Sequence, residues 1–126
     1  MRLLLLNGGK ALFAVVRRLV PDDVEVVEMG SFEEALECFR ADPPHAAIID
    51  LTPMPLPWKE VQKLCSAHQP PIPVLFESCI HDSPHDAGLD ELTSEASFLA
   101  KPYHLAELQA QLDRLVGSVR RSTKVR

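Results

Sequence analysis

Ala46-Ala47-Ile48-Ile49-Asp50 and Phe98-Leu99-Ala100-Lys101-Pro102 are the two stretches that decide how this chain folds. Each is a short apolar run that stops on a charge, first a carboxylate and then an ammonium. Runs of this length without polar alternation have the look of strands buried on both faces. Within one parallel sheet their carboxyl ends meet at the same edge, which places Asp50 beside Lys101. Leu3-Leu4-Leu5-Leu6 is a further run of the same kind, but it leads into Asn7-Gly8-Gly9-Lys10 and brings no acids to that edge.

Outward from these runs the pattern alternates. Leu12, Val15, Val16 and Leu19 recur at helical spacing, and Pro21 ends that helix. Residues 24–27 are mostly valine with Glu25 and Glu28 interspersed, which predicts an edge strand. Ser31-Phe32-Glu33-Glu34 is a capping box, and Phe32, Ala35, Leu36 and Phe39 make the stripe of a second helix. A proline-rich loop with Pro53, Pro55 and Pro57 precedes a third helix, whose inner face is read as Trp58, Val61, Leu64 and Cys65, with Pro57 at its first position. Residues 74–77 form the fourth strand and 98–100 the fifth. Leu105, Leu108, Leu112, Leu115 and Val119 predict a long final helix, while Pro84 and Gly88 interrupt the stretch from His81 to Glu95.

Five strand–helix alternations demand right-handed crossovers, a parallel sheet and helices on both faces. The functional crevice of such a sheet lies at the carboxyl ends of its strands, near the switch in strand order. Asn7-Gly8, Asp50, Ser78 and Lys101 all fall at or just past those ends.

Composition sets the outer bounds. The chain has 126 residues, 46% hydrophobic and 25% charged, which suits one globular domain. A net charge of -5 argues against nucleic acid as the partner. Cys38, Cys65 and Cys79 are odd in number and lack a C-x-x-C pair, so they read as reduced thiols of a cytoplasmic protein. The leucines after Met1-Arg2 stop at Asn7, too soon for a spanning or secretory segment, and no membrane role follows.

At Asp50, Ser78 and Lys101-Pro102-Tyr103 the chain resembles a response-regulator receiver domain, over residues 2 to about 119. The resemblance implies a doubly wound (βα)5 flavodoxin-like fold, an α/β sandwich with strand order 2-1-3-4-5. It also implies two-component signalling, in which a histidine kinase or phosphotransfer protein supplies a phosphoryl group. Asp50 matches the phosphoacceptor, and Ser78 the small hydroxyl residue that contacts the phosphoryl group. Lys101, Pro102 and Tyr103 match the Lys-Pro-aromatic signature, and Phe98 the switch aromatic. The departures lie at the metal: Asn7 and Gly8 stand where the family carries an acidic pair, and Pro53, Pro55 and Pro57 displace its Met-Pro-Gly. His104 stands where Asp or Ser often caps the final helix.

Magnesium holds its waters strongly and is bound through one or two carboxylates. With Asp50 as the single acid and Lys101 beside it, the site sums to about neutral, and Lys10 would add a positive charge. The expectation is an Asp50–Lys101 ion pair at rest, weak magnesium binding, no other cofactor, and slow or absent phosphorylation of Asp50. No nucleophile–base pair suggests an enzyme.

The chain is therefore read as a receiver-like module, residues 1–119, acting through a protein partner such as a kinase, phosphotransfer protein or output domain. Its surface would be the fourth helix, fifth strand and final helix, with Phe98 and Tyr103, and a homodimer could use the same face. Residues 120–126 are read as a basic tail or the start of a linker. The alternatives are a working phosphoacceptor, and a flavodoxin-like domain binding a small anion at Gly8-Gly9-Lys10. His81-Asp82 and His85-Asp86 read as solvated loop residues, because Pro84 spoils the helix a metal pair needs. Glu77 is expected at a surface or facing a helix, since alternation turns it away from Ser78.

Overall fold

In the structure, a computed structural model, residues 1–6, 9–50, 58–68, 71–78, 96–101 and 103–124 are described. Five strands, β1 (Arg2–Leu6), β2 (Glu25–Met29), β3 (Ala46–Asp50), β4 (Val74–Ser78) and β5 (Ala96–Ala100), form one sheet in the order β2-β1-β3-β4-β5. All four pairings are parallel. The described helices are α1 (Gly9–Leu19), α2 (Phe32–Ala41), α3 (Trp58–Ala67) and α4 (Leu105–Lys124). The stretch expected between β4 and β5, the proline-rich loop and the two His-Asp pairs lie outside the described residues.

Burial explains the strand order. Every residue of β3 and β4 is buried, as is β1 from Leu3 onward, and these are the interior strands. β2 and β5 are half-exposed and take the edges. Alternation divides the side chains between two cores. Leu3, Leu5, Ile48, Leu75 and Leu99 face Val16 of α1 and Leu108, Leu112 and Leu115 of α4. Leu4, Leu6, Ala47, Ile49 and Phe76 face Ala35 and Phe39 of α2 and Val61 and Cys65 of α3. Two described helices on each face make the fold doubly wound. The order reverses between β1 and β3, so the crevice lies where Asp50 ends β3.

Local signals set the element ends. The Ser31 hydroxyl accepts from the Glu34 amide at 3.2 Å and caps α2. Gly9 opens α1 with φ at 75°, a left-handed backbone that glycine takes without penalty, as a tight strand-to-helix turn requires. Before α4 the Glu107 carboxylate accepts from the His104 amide at 3.0 Å, so a glutamate three residues on ties the entry where His104 brings no capping oxygen.

Several expectations shift: β5, read over 98–100, begins at Ala96 because its pairing with β4 starts at Val74↔Ala96, and β4 runs on to Ser78. β2 begins at Glu25 and runs to Met29, because its pairing with β1 starts at Arg2↔Glu25. Leu105, expected on the inner stripe of the final helix, is 59% exposed, since it sits in the first turn before the helix reaches the core. Residues 120–124, expected as a tail, continue α4, and Arg120 pairs with Asp23 at 3.0 Å. No described helix is long and apolar enough to cross a membrane.

Candidate functional site

The carboxyl edge of β3, β4 and β5 gathers four polar side chains on one face of the sheet. Strand register places Asp50 opposite Glu77 and Glu77 opposite Leu99. Residues paired in a parallel sheet share a face, and so do residues two apart on one strand. Asp50, Glu77 and Lys101 therefore continue the rows begun by Ile48, Leu75 and Leu99, above the core under α1 and α4. The Lys101 amide donates to the Ser78 carbonyl at 2.8 Å, which extends the β4–β5 ladder by one bond and fixes where the lysine leaves the sheet.

Lys101 Nζ donates to Asp50 Oδ2 at 2.6 Å and lies 3.4 Å from Glu77 Oε1. Tyr103 donates from its hydroxyl to Glu77 Oε2 at 3.1 Å. Glu77 is fully buried and Asp50 is 4% exposed, whereas the Lys101 side chain retains 27%. Glu77 Oε1 has no directed hydrogen bond, only the charge contact with Lys101. One half-wet ammonium thus serves two dry carboxylates, the nearer contact going to Asp50.

That asymmetry explains the protonation behaviour. Burial pushes the Glu77 carboxyl above its ordinary range, and the Asp50 charge adds to this; Lys101 and the Tyr103 hydroxyl oppose it without winning. For Lys101 burial works to lower the pKa, but the Asp50 hydrogen bond and the charges of Glu77 and Asp50 outweigh it, and the ammonium is held above its usual value. Burial and the neighbouring Glu77 raise the Tyr103 phenol as well.

Asp50 and Lys101 come together as the sequence led one to expect. Ser78 is buried at the end of β4 on the opposite face of that strand, by alternation from Glu77. Phe98 packs against the core under α2 and α3, and Tyr103 against the core under α1 and α4. Lys10 is exposed on α1. Asn7, Gly8 and Pro102 lie outside the described residues. Of the two positions expected for Glu77, a surface or a face turned to a helix, the structure gives the second: it is fully buried on the face under α1 and α4, inside the charge cluster. Alternation did turn it away from Ser78, and that same turn aims it at Lys101. Cys65 is a buried thiol pushed up to about 12 by burial, which leaves it unreactive at neutral pH.

As a magnesium site these residues fit poorly. The Lys101 ammonium already contacts both carboxylates and would compete with a dication for them. Magnesium also keeps several waters, and neither carboxylate offers the exposure to carry them. The sequence places Asn7 and Gly8, not acids, just after β1.

No protein-family model matches this sequence, and no curated protein matches it. Solved structures do resemble the fold. A response-regulator receiver protein of Sinorhizobium medicae superposes with a TM-score of 0.72 at 18% identity, over 94% of this chain and 96% of that one. An adenylate cyclase chain of Rhodopirellula baltica gives 0.72 at 21% identity, over 98% and 92%. NtrX of Brucella abortus, in complex with ADP, gives 0.69 at 15% identity over 98% of this chain, which spans 29% of that protein's length. The chain has the receiver-domain fold.

Proposed function

We propose that this chain is a receiver-like signalling module of a two-component system, working through protein–protein contacts, with Asp50 accepting a phosphoryl group slowly or not at all. The observation that carries this reading is the Lys101 ammonium bound to Asp50 at 2.6 Å and contacting Glu77 at 3.4 Å. The fold likeness supports the signalling class. The charge cluster supplies the reason for weak chemistry. Phosphoryl transfer relies on positive charge to offset the incoming group, and among the described residues the cation at this edge is already committed to two acids.

The surface proposed for the partner includes β5, Tyr103 and the start of α4, where Leu105 is a large apolar side chain left exposed. A histidine kinase, a phosphotransfer protein or an output domain would meet the chain there. The test is incubation with acetyl phosphate and millimolar magnesium, followed by intact mass, with Asp50→Asn as control. Slow or no mass gain over hours is expected. Stoichiometric labelling within minutes, lost in Asp50→Asn, would establish the alternative of a working phosphoacceptor.

A further inference from the structure

Among the described residues, Glu77 is a buried carboxylate of the charge cluster to which the receiver resemblance assigns no role. It stands in an otherwise apolar strand, is fully buried, and leaves Oε1 without a directed hydrogen bond. A buried carboxylate costs stability unless it is paired and fully hydrogen-bonded, and this one is only partly so. Its contacts are both donors of the edge: Lys101 at 3.4 Å and Tyr103 at 3.1 Å.

We infer that Glu77 is a positioning residue that acts through Lys101 as an internal counter-anion, holding the lysine and the tyrosine and repelling an anion brought to Asp50. The inference rests on reading Asp50 as a phosphoacceptor position. It adds that the resistance of the site to phosphorylation resides largely in Glu77, and not only in the Asn7-Gly8 pair after β1.

The magnitude comes from the geometry. Both acids contact one nitrogen, so their carboxylate oxygens lie within about 6 Å of each other. A unit negative charge at that separation, at an effective dielectric of about 20, disfavours another negative charge by on the order of 100-fold. Screening through the half-exposed lysine reduces this, and tenfold is the effect to look for. The step itself is simple: an Asp50 oxygen bonds to phosphorus, the bond from phosphorus to the acetate oxygen breaks, and acetate leaves with the electron pair. No proton is taken up or released. The charge that must be accommodated is that of the phosphoryl oxygens, beside Lys101 and against Glu77.

The experiment compares acetyl phosphate labelling rates of wild type, Glu77→Gln and Glu77→Asp over a pH series rising to about pH 8. Glu77 is held above the ordinary carboxylate range and repels an anion only once ionised, so the rates are compared at the upper end. Glu77→Gln should label at least tenfold faster than wild type, and Glu77→Asp, which restores the charge, should return toward the wild-type rate. Glu77→Met, apolar and similar in volume, replaces Glu77→Gln should the amide not fold. A Glu77→Gln rate within twofold of wild type, including no label on either, overturns the inference. So does Glu77→Asp behaving like Glu77→Gln, which would make the role one of shape. The wild-type rate alone decides the proposed function, and the ratio between variants decides the role of Glu77.

Discussion

The two ends of the sheet are both tied by charged side chains, under opposite conditions. At the amino end Arg2 donates to Asp42 Oδ2 at 2.8 Å and to the carbonyls of Asp42 and Pro43 at 2.6 and 3.0 Å, while its amide donates to His45 Nδ1 at 2.9 Å. Asp42 is 79% exposed there, so water competes for every partner. At the carboxyl end Asp50 and Glu77 have almost no contact with water and share a single ammonium. The first arrangement pins a loop to a strand at little cost. The second gathers charge where it is expensive, which is why the carboxyl end is the edge proposed here as functional.

The largest expected difference comes from removing the shared cation. Lys101→Met removes the shared cation from two buried acids and should lower stability by about 3 kcal/mol, read from urea denaturation at neutral pH. Combining it with Glu77→Met should recover a good part of that loss, because one of the two buried acids lacking its cation is gone. If Lys101→Met cost no more than a surface pair, the contrast between the two ends would collapse.

The next effect is a pH dependence. The Glu77 carboxyl is held above its ordinary range, so over that window the folded chain keeps a proton the unfolded chain has released. Its contribution to stability is therefore present at acid pH and lost as pH rises through the folded-state value. In Glu77→Gln that slope should vanish, and the variant should gain on wild type by on the order of 1 kcal/mol by neutral pH, measured as Tm across a pH series.

Smaller effects belong to the exposed pairs. Arg2→Ala should cost about 1 kcal/mol, mostly through its bonds to the two carbonyls, with only the Asp42 part sensitive to salt. Arg120→Ala removes a pair whose members are 47% and 68% exposed, and should cost under about 0.5 kcal/mol.

Much of this architecture was legible in the residues because burial leaves a simple trace. β3 was read at its exact bounds, since a strand buried on both faces carries an unbroken apolar run and stops at its first charge. The Ser31 cap was legible for a local reason, a hydroxyl three residues before a glutamate. β2 slipped because its valines show only that an edge strand exists, whereas its ends are fixed by pairing with β1. Glu77 was missed for the same reason. Alternation assigns it a face of β4, but only the register Asp50↔Glu77 shows that Asp50 and Lys101 share that face. A two-residue count back from each charge, to Ile48, Leu75 and Leu99, was the available signal.

Magnesium titration followed by backbone amide shifts of Asp50, Glu77 and Lys101 tests most directly whether the carboxyl edge is a closed charge cluster. At millimolar magnesium none of the three should show a saturable shift. A saturable shift shared by all three, and abolished in Asp50→Asn, would mean that the cluster binds a dication despite Lys101 and would contradict this account.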